Sequence, residues 1–463
     1  MIRLDQIRIC LEGLLPSMLA TCGADGTPNI TYVSQVHYVN PNHVALTFQF
    51  FNKTRLNILA NPQATLLVID LQTAAMYRLA LLYRHTETSG PLFESMKARL
   101  AGIASSSGME NVFHLQGADV YQVMDIEAVP GMQKPVLPPA RQSQLYLREA
   151  FCAMSRAQDM AELFECCMNS LSQQLQIEYA MLLLADGTGK KLYTLDTRGY
   201  SQSGIGAEVP IGYGIIGTAA QYRTPIRITH VAMEYTYVQA MRDYLQHEQD
   251  TTGLETHIAF PGLKLPRSQL AMPILDKDKL LGIIYAESPK DEFFHYDHED
   301  MLACLALFLG QMIVKLQASE CLNIYRGDSD NHNSDQKITA ASAKESNQTH
   351  IRPQTPVLIR YYRQNHSIFL DQDYLIKGIA GAILWRLLQL HTHEGRCHFS
   401  NRELRLDPHL KLPDIDDNLE ARLILLRRRL EERCSFMRLE KAGRGAFTLN
   451  LNTPLTLIEV DSL

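Results

Sequence analysis

Leu270 to Ser288 reads LAMPILDKDKLLGIIYAES. Two apolar runs flank the polar Asp276-Lys277-Asp278-Lys279, so the segment predicts a strand, a turn and a strand. Upstream, GYGIIGTAAQYRTPIRITH (Gly212 to His230) opens on a glycine-marked helix start and passes through a Thr-Pro-Ile turn. YAMLLLAD (Tyr179 to Asp186) and KLYTLDTRG (Lys191 to Gly199) predict two further strands. Before them, from Leu147 to Leu175, LREAFCAMSRAQDMAELFECCMNSLSQQL carries an amphipathic helical pattern. HEDMLACLALFLGQMIVKLQ (His298 to Gln317) closes the unit as a long apolar-faced helix. A helix, an antiparallel sheet and a second helix make an α+β sandwich.

In the order and spacing of these pieces, the segment from Leu147 to Gln317 resembles the GAF family over nearly its whole length. The carrying residues are the glycine helix start from Gly212, the Pro-Ile at Pro273, and the Leu-Gly-x-Ile strand from Leu281. The resemblance implies a ligand-sensing role and a pocket between the sheet and its covering loops, here about Thr229 to Arg267. Tyr235, Tyr237, His247 and His257 populate that loop, either contacting a planar ligand or packing on their own domain. No Cys lies between Val231 and Leu270 to tether a chromophore.

The first segment alternates. Met18 to Val39 reads as two strands around a turn at Ala24, Asp25 and Gly26. HVALTFQF, ATLLVIDL, MYRLALLYRHTET and DVYQVMDIEAV predict more strands, with short helices at LNILANP and GPLFESMKARLAGIA. Antiparallel strands with short helices suggest a closed barrel. LATCGADGTPNITYVSQVHYV, FFNKTRLNILANPQA and GADVYQVMDIEAV resemble the pyridoxamine 5'-phosphate oxidase-like split barrel, which commonly binds FMN. The resemblance places Phe51 to Thr54 near a flavin phosphate. A Lys53 ammonium, a Thr54 hydroxyl and backbone amides at a helix start suit a dianion. Asn57 lies one helical turn beyond Lys53, and Ser34 and Gln35 on the second strand reach toward the ring or ribityl chain under the same reading. The alternative is a dimerisation module with an empty groove, in which Thr54 is an ordinary N-cap. Arg55, Arg78 and Arg84 match no pair in the oxidase's phosphate clamp, which argues against pyridoxamine oxidation.

The last segment predicts a helix at Ile376–His391, a short helix capped by Ser400 with Glu403, and a basic helix at Asn418–Arg433. GRGAFTLNLN then reads as a strand after a glycine-marked turn. ILWRLLQLHTHEGRCHFSNRELRLD and NLEARLILLRRRLEERCSFMRLEKAGRGAFTLNLN resemble a winged-helix module of response regulators, which implies DNA binding. Arg422, Arg427, Arg428 and Arg429 lie on the basic helix, with Arg444 in the wing turn. The alternative is a solvated helix whose arginines pair with Glu420, Glu431 and Glu432. His391, His393, Cys397 and His398 cluster around one turn, but they match no finger pattern, and no metal is expected.

The 463 residues exceed one core, and 46% hydrophobic with 20% charged content suits globular domains. His350 to the end holds 17 Lys and Arg against 14 Asp and Glu, a net of +3, while the rest carries −9. The N-terminus lacks a leader pattern, and no run approaches the length of a membrane span. Scattered Cys without a CxxC suit a reducing, cytoplasmic setting. The expectation is a multidomain α+β chain. It comprises an FMN-binding-type split β-barrel at 1–129, a proline-rich linker at 130–146, a GAF α/β sandwich at 147–318, a flexible linker at 319–356 and a C-terminal winged helix at 357–463. Function is expected as a homodimeric sensory transcriptional regulator that meets a small molecule and DNA but no membrane. An FMN-dependent oxidoreductase and a scaffold whose winged helix binds protein are the alternatives.

Overall fold

The computed structural model describes residues 2–11, 16–33, 36–48, 53–70, 73–106, 115–131, 142–229, 258–330, 356–410, 419–443 and 445–460. The first unit is a seven-stranded antiparallel sheet. Its strands are β1 (Ser17–Cys22), β2 (Pro28–Val33), β3 (Val36–Asn40), β4 (His43–Phe48), β5 (Gln63–Ile69), β6 (Met76–Glu87) and β7 (Gly117–Val129). They pair in the order β2-β1-β5-β6-β7-β4-β3. Alternation puts Leu66, Val68, Leu79 and Leu81 in the core, where Leu4, Ile7 and Leu11 of an N-terminal 3-10 turn also pack. Helix α1 (Lys53–Ala60) sits over β1 and β2, and α2 (Pro91–Ser106) leaves the barrel to reach the next unit.

The second unit is an antiparallel sheet of β8 (Tyr179–Ala185), β9 (Lys191–Arg198), β10 (Glu208–Pro210), β11 (Ile226–Ile228), β12 (Ser268–Asp276) and β13 (Lys279–Ser288). The strands run β10-β9-β8-β13-β12-β11. The strand-turn-strand expected at Leu270–Ser288 is β12 and β13. One face is covered by α3 (Gln142–Ser155), α4 (Met160–Gln173) and α6 (Tyr296–Asp330). The other carries α5 (Gly214–Tyr222) and, from the barrel, Ala98 of α2. Gly217 lets α5 lie this close, because a Cβ there would strike the Pro210 carbonyl oxygen. In α6, Leu302, Leu305, Ala306, Leu309, Met312 and Ile313 recur at helical spacing and are buried. By length and composition alone, Tyr296–Ser319 is long and apolar enough to cross a membrane, with mean hydropathy 1.7. Its apolar face is spent on the sheet.

The third unit opens with β14 (Val357–Tyr362), β15 (Ser367–Leu370) and β16 (Asp373–Ile376), strands absent from the sequence reading. They form a sheet with the last strand, β20 (Leu455–Val460), parallel to β14. Between lie α7 (Gly378–Glu394), β17 (His398–Ser400), α8 (Asn401–Leu406), α9 (Leu419–Arg433), β18 (Met437–Gly443) and β19 (Ala446–Leu451). Ser400 caps α8 through the Glu403 amide, as expected. Trp385 of α7 stacks on Tyr361 at 4.7 Å. Helix α3 begins inside the 130–146 stretch read as linker, and α6 runs into the 319–356 stretch. Within these two stretches, 132–141 and 331–355 lie outside the described residues.

Candidate functional site

Lys53 is exposed at the start of α1, where a helix N-terminus favours an anion. Thr54 and Asn57 are both buried. Asn29 Nδ2 donates to Thr54 Oγ1 at 2.9 Å, and Asn57 Nδ2 donates to Thr21 Oγ1 at 3.1 Å. These bonds fasten α1 to β1 and β2. Ser34 and Gln35 lie outside the described residues. Arg55 has a structural partner, since its guanidinium meets Asp119 at 2.6 Å inside the barrel. Thr86 adds a hydrogen bond to the same carboxylate. Of the residues expected near a flavin phosphate, Lys53 at the start of α1 is the exposed cation among the described residues.

In the GAF-like unit, Tyr235, Tyr237, His247 and His257 lie outside the described residues. A polar cluster sits on the α5 side of the sheet. Glu287 of β13 is 5% exposed. It accepts from Leu263 N at 2.8 Å, Tyr285 Oη at 2.8 Å, Tyr200 Oη at 3.2 Å and Gln269 Nε2 at 3.3 Å. Burial pushes its carboxyl above the usual range despite those four donors. Gln269 Oε1 is buried without a hydrogen-bond partner among the described residues. The cluster ties the loops at Tyr200 and Leu263 to the sheet. Its sequence signal was a lone carboxylate in the apolar run LLGIIYAES.

The basic helix α9 is only partly a solvent face, which corrects the expected exposure of its arginines. Arg422 is 8% exposed, its guanidinium 4.1 Å over the Tyr193 ring of β9. Arg428 donates to the Leu195 carbonyl at 3.0 Å and pairs with Asp196 at 2.8 Å. Arg429, 7% exposed, donates to the Leu375 carbonyl at 2.9 Å within its own unit. Arg427 stays half exposed and approaches Glu431 at 3.8 Å. Arg444 lies outside the described residues. At the turn from His391 to His398, His391 Nδ1 lies 2.9 Å from the Arg396 carbonyl oxygen and 3.6 Å from Cys397 Sγ.

These geometries define a chain of two recognisable domain classes joined to a third unit. The GAF domain model matches residues 159–313. The pyridoxamine 5'-phosphate oxidase model matches residues 4–124. The protein thus carries a pyridoxamine 5'-phosphate oxidase-like domain and a GAF domain in one chain. Comparison with curated proteins gives no match. Among solved structures, the GAF domain of an Acinetobacter phosphoenolpyruvate-protein phosphotransferase is similar at 15% identity. It covers 39% of this chain and 96% of that one, with a TM-score of 0.30. HupZ of Group A Streptococcus is similar at 20% identity over 29% of this chain and 100% of that one, TM-score 0.23. An FMN-binding protein of Syntrophomonas wolfei subsp. wolfei is similar at 15% identity over 28% of this chain and 91% of that one, TM-score 0.23.

Proposed function

We propose that this chain is a sensory regulator in which the oxidase-like and GAF domains receive a small-molecule or redox signal and the C-terminal unit, a winged helix, binds DNA. The observation that carries the reading is the connectivity of that unit. A strand group is followed by α7, β17, α8, the arginine-bearing α9 and the β18–β19 hairpin, and β20 returns to the first sheet. Three helices followed by a hairpin, with the basic residues on the third helix, supports a helix that reads a groove and a hairpin that flanks it. Charge agrees in sign, because the segment from His350 carries +3 on a chain of −6.

Binding of full-length protein to a generic duplex, followed by gel shift across a salt series, tests the reading. Affinity is expected to fall steeply, with a log–log slope of about −0.9 per phosphate neutralised. No binding at low salt, or binding indifferent to salt, overturns it.

A second reading concerns the barrel. The family-model match supports FMN as a ligand, with Lys53 and the α1 start toward its phosphate. FMN, when bound, supplies a reversible electron and hydride acceptor. A flavin absorption band in purified protein supports it, and flavin-free protein that gains none on incubation with FMN argues against it.

A further inference from the structure

Four described cations of the C-terminal unit meet a carboxylate or an aromatic face of the GAF domain. Arg428 pairs with Asp196 at 2.8 Å and lies 3.7 Å from Glu165. Lys441, on the β18 arm of the hairpin, pairs with Asp159 at the start of α4. Lys377, at the start of α7, meets Glu208 at 3.1 Å. Arg422 covers Tyr193. The apolar groups follow the charges, since Ile424, Leu425 and Leu426 of α9 belong to the same buried cluster as Phe164, Met168 and Tyr193.

Carboxylates and phosphates are recognised by the same guanidinium geometry. A duplex major groove, about 12 Å wide, also needs the inserted helix clear of neighbours on its reading face. Both conditions are violated while α9 lies on β9 and α4. We propose that the GAF domain holds α9 and its hairpin in a DNA-incompetent arrangement, its carboxylates taking the places that duplex phosphates take when the contact opens. The proposal rests on the DNA-binding reading above. A signal that loosens β9 or α4 then acts directly on the output, without transmission through residues 331–355. The GAF-bound and DNA-bound arrangements exclude each other, so each opposes the other by the same free energy.

The test uses the full chain carrying Glu165→Lys and Lys377→Glu. Glu165 is half exposed and Lys377 is the N-cap of α7 without a side-chain cap bond, so both changes act on the carboxylate–cation contacts while the α9 arginines themselves stay in place. Like charges then face Arg428 and Glu208. Amide exchange over 419–433 and 437–443 is expected to quicken by about tenfold, with duplex affinity rising about fivefold or more. Unchanged exchange in a variant that still unfolds cooperatively overturns the latch. So does equal, tight duplex binding by both proteins, which leaves the DNA reading standing. Faster exchange with no duplex binding by either protein sinks the DNA reading and this proposal with it.

Discussion

Arg55 and Asp119 form an ion pair in which both side chains are nearly out of solvent, at 13% and 8% exposure. Burial pushes the Asp119 carboxyl above its usual range, opposed by Thr86 and Arg55. Such a pair adds little net stability, yet removing one member strands the other charge. Asp119→Ala is therefore expected to cost about 3–5 kcal/mol, while Asp119→Asn, which keeps an acceptor for Thr86 and Arg55, costs less. Urea unfolding of the two variants measures the difference, and equal small losses would show the pair to be solvated. The sequence showed that Arg55 fits no phosphate clamp, but its partner is 64 residues away and invisible to local reading. The α9 arginines had the same difficulty. Seven residues apart, Arg422 and Arg429 share a helix face, and this was legible. Whether that face meets water or a neighbour depends on contacts such as Arg428 with Leu195, 233 residues distant.

At the scale of elements, legibility followed length. The long α6 and the β12–β13 hairpin each present several inward positions, so their periodicity stands out. Strands β15 and β16 have four residues apiece and almost all are buried, leaving no alternation to detect. The opening of α6 carries a consequence for pH. His298, in its first turn, packs against Phe293 and Phe294, with centroids at 5.2 and 5.8 Å. Burial, followed by His295 and Arg227, lowers its pKa to about 4. A histidine whose folded pKa is depressed binds fewer protons folded than unfolded, so stability falls as pH drops from the unfolded value toward the folded one. Between about pH 7.5 and about pH 4.5 the native state is expected to lose roughly 2–3 kcal/mol through this group. Denaturation of wild type and His298→Gln at both pH values isolates it. A difference between the two proteins that does not change with pH would remove His298 as the cause.

The whole molecule is joined by charge as well as by apolar packing. Arg8 of the barrel pairs with Asp300 of α6 at 2.5 Å and lies over the rings of Tyr38 and Tyr296. On the far side, Glu208 takes both Lys191, at 3.0 Å, and Lys377, at 3.1 Å. Burial alone would raise the Glu208 carboxyl, but Lys377 and Lys191 outweigh it and hold it below the usual range. Its folded pKa is depressed, so its stabilisation is complete above the unfolded carboxylate value and is lost as pH falls through the folded one. Asp196 has the opposite sign. Burial lifts its carboxyl above the usual range in spite of Arg428 and Arg198, so its contribution is lost as pH rises. The pH profile of the intact contact is thus a sum of opposed terms, and a single substitution is needed to read one of them. Glu208→Gln keeps the shape and removes the charge. At neutral pH the variant is expected to loosen the C-terminal unit by roughly 1 kcal/mol, seen as amide exchange about fivefold faster along α7 and β16. Comparing wild type with the variant at each pH cancels the intrinsic pH dependence of exchange. The ratio should shrink toward unity once Glu208 is protonated in the wild type. If it stays constant from neutral to acid, the loosening comes from altered packing at Lys377, and charge at Glu208 does not hold the two units together.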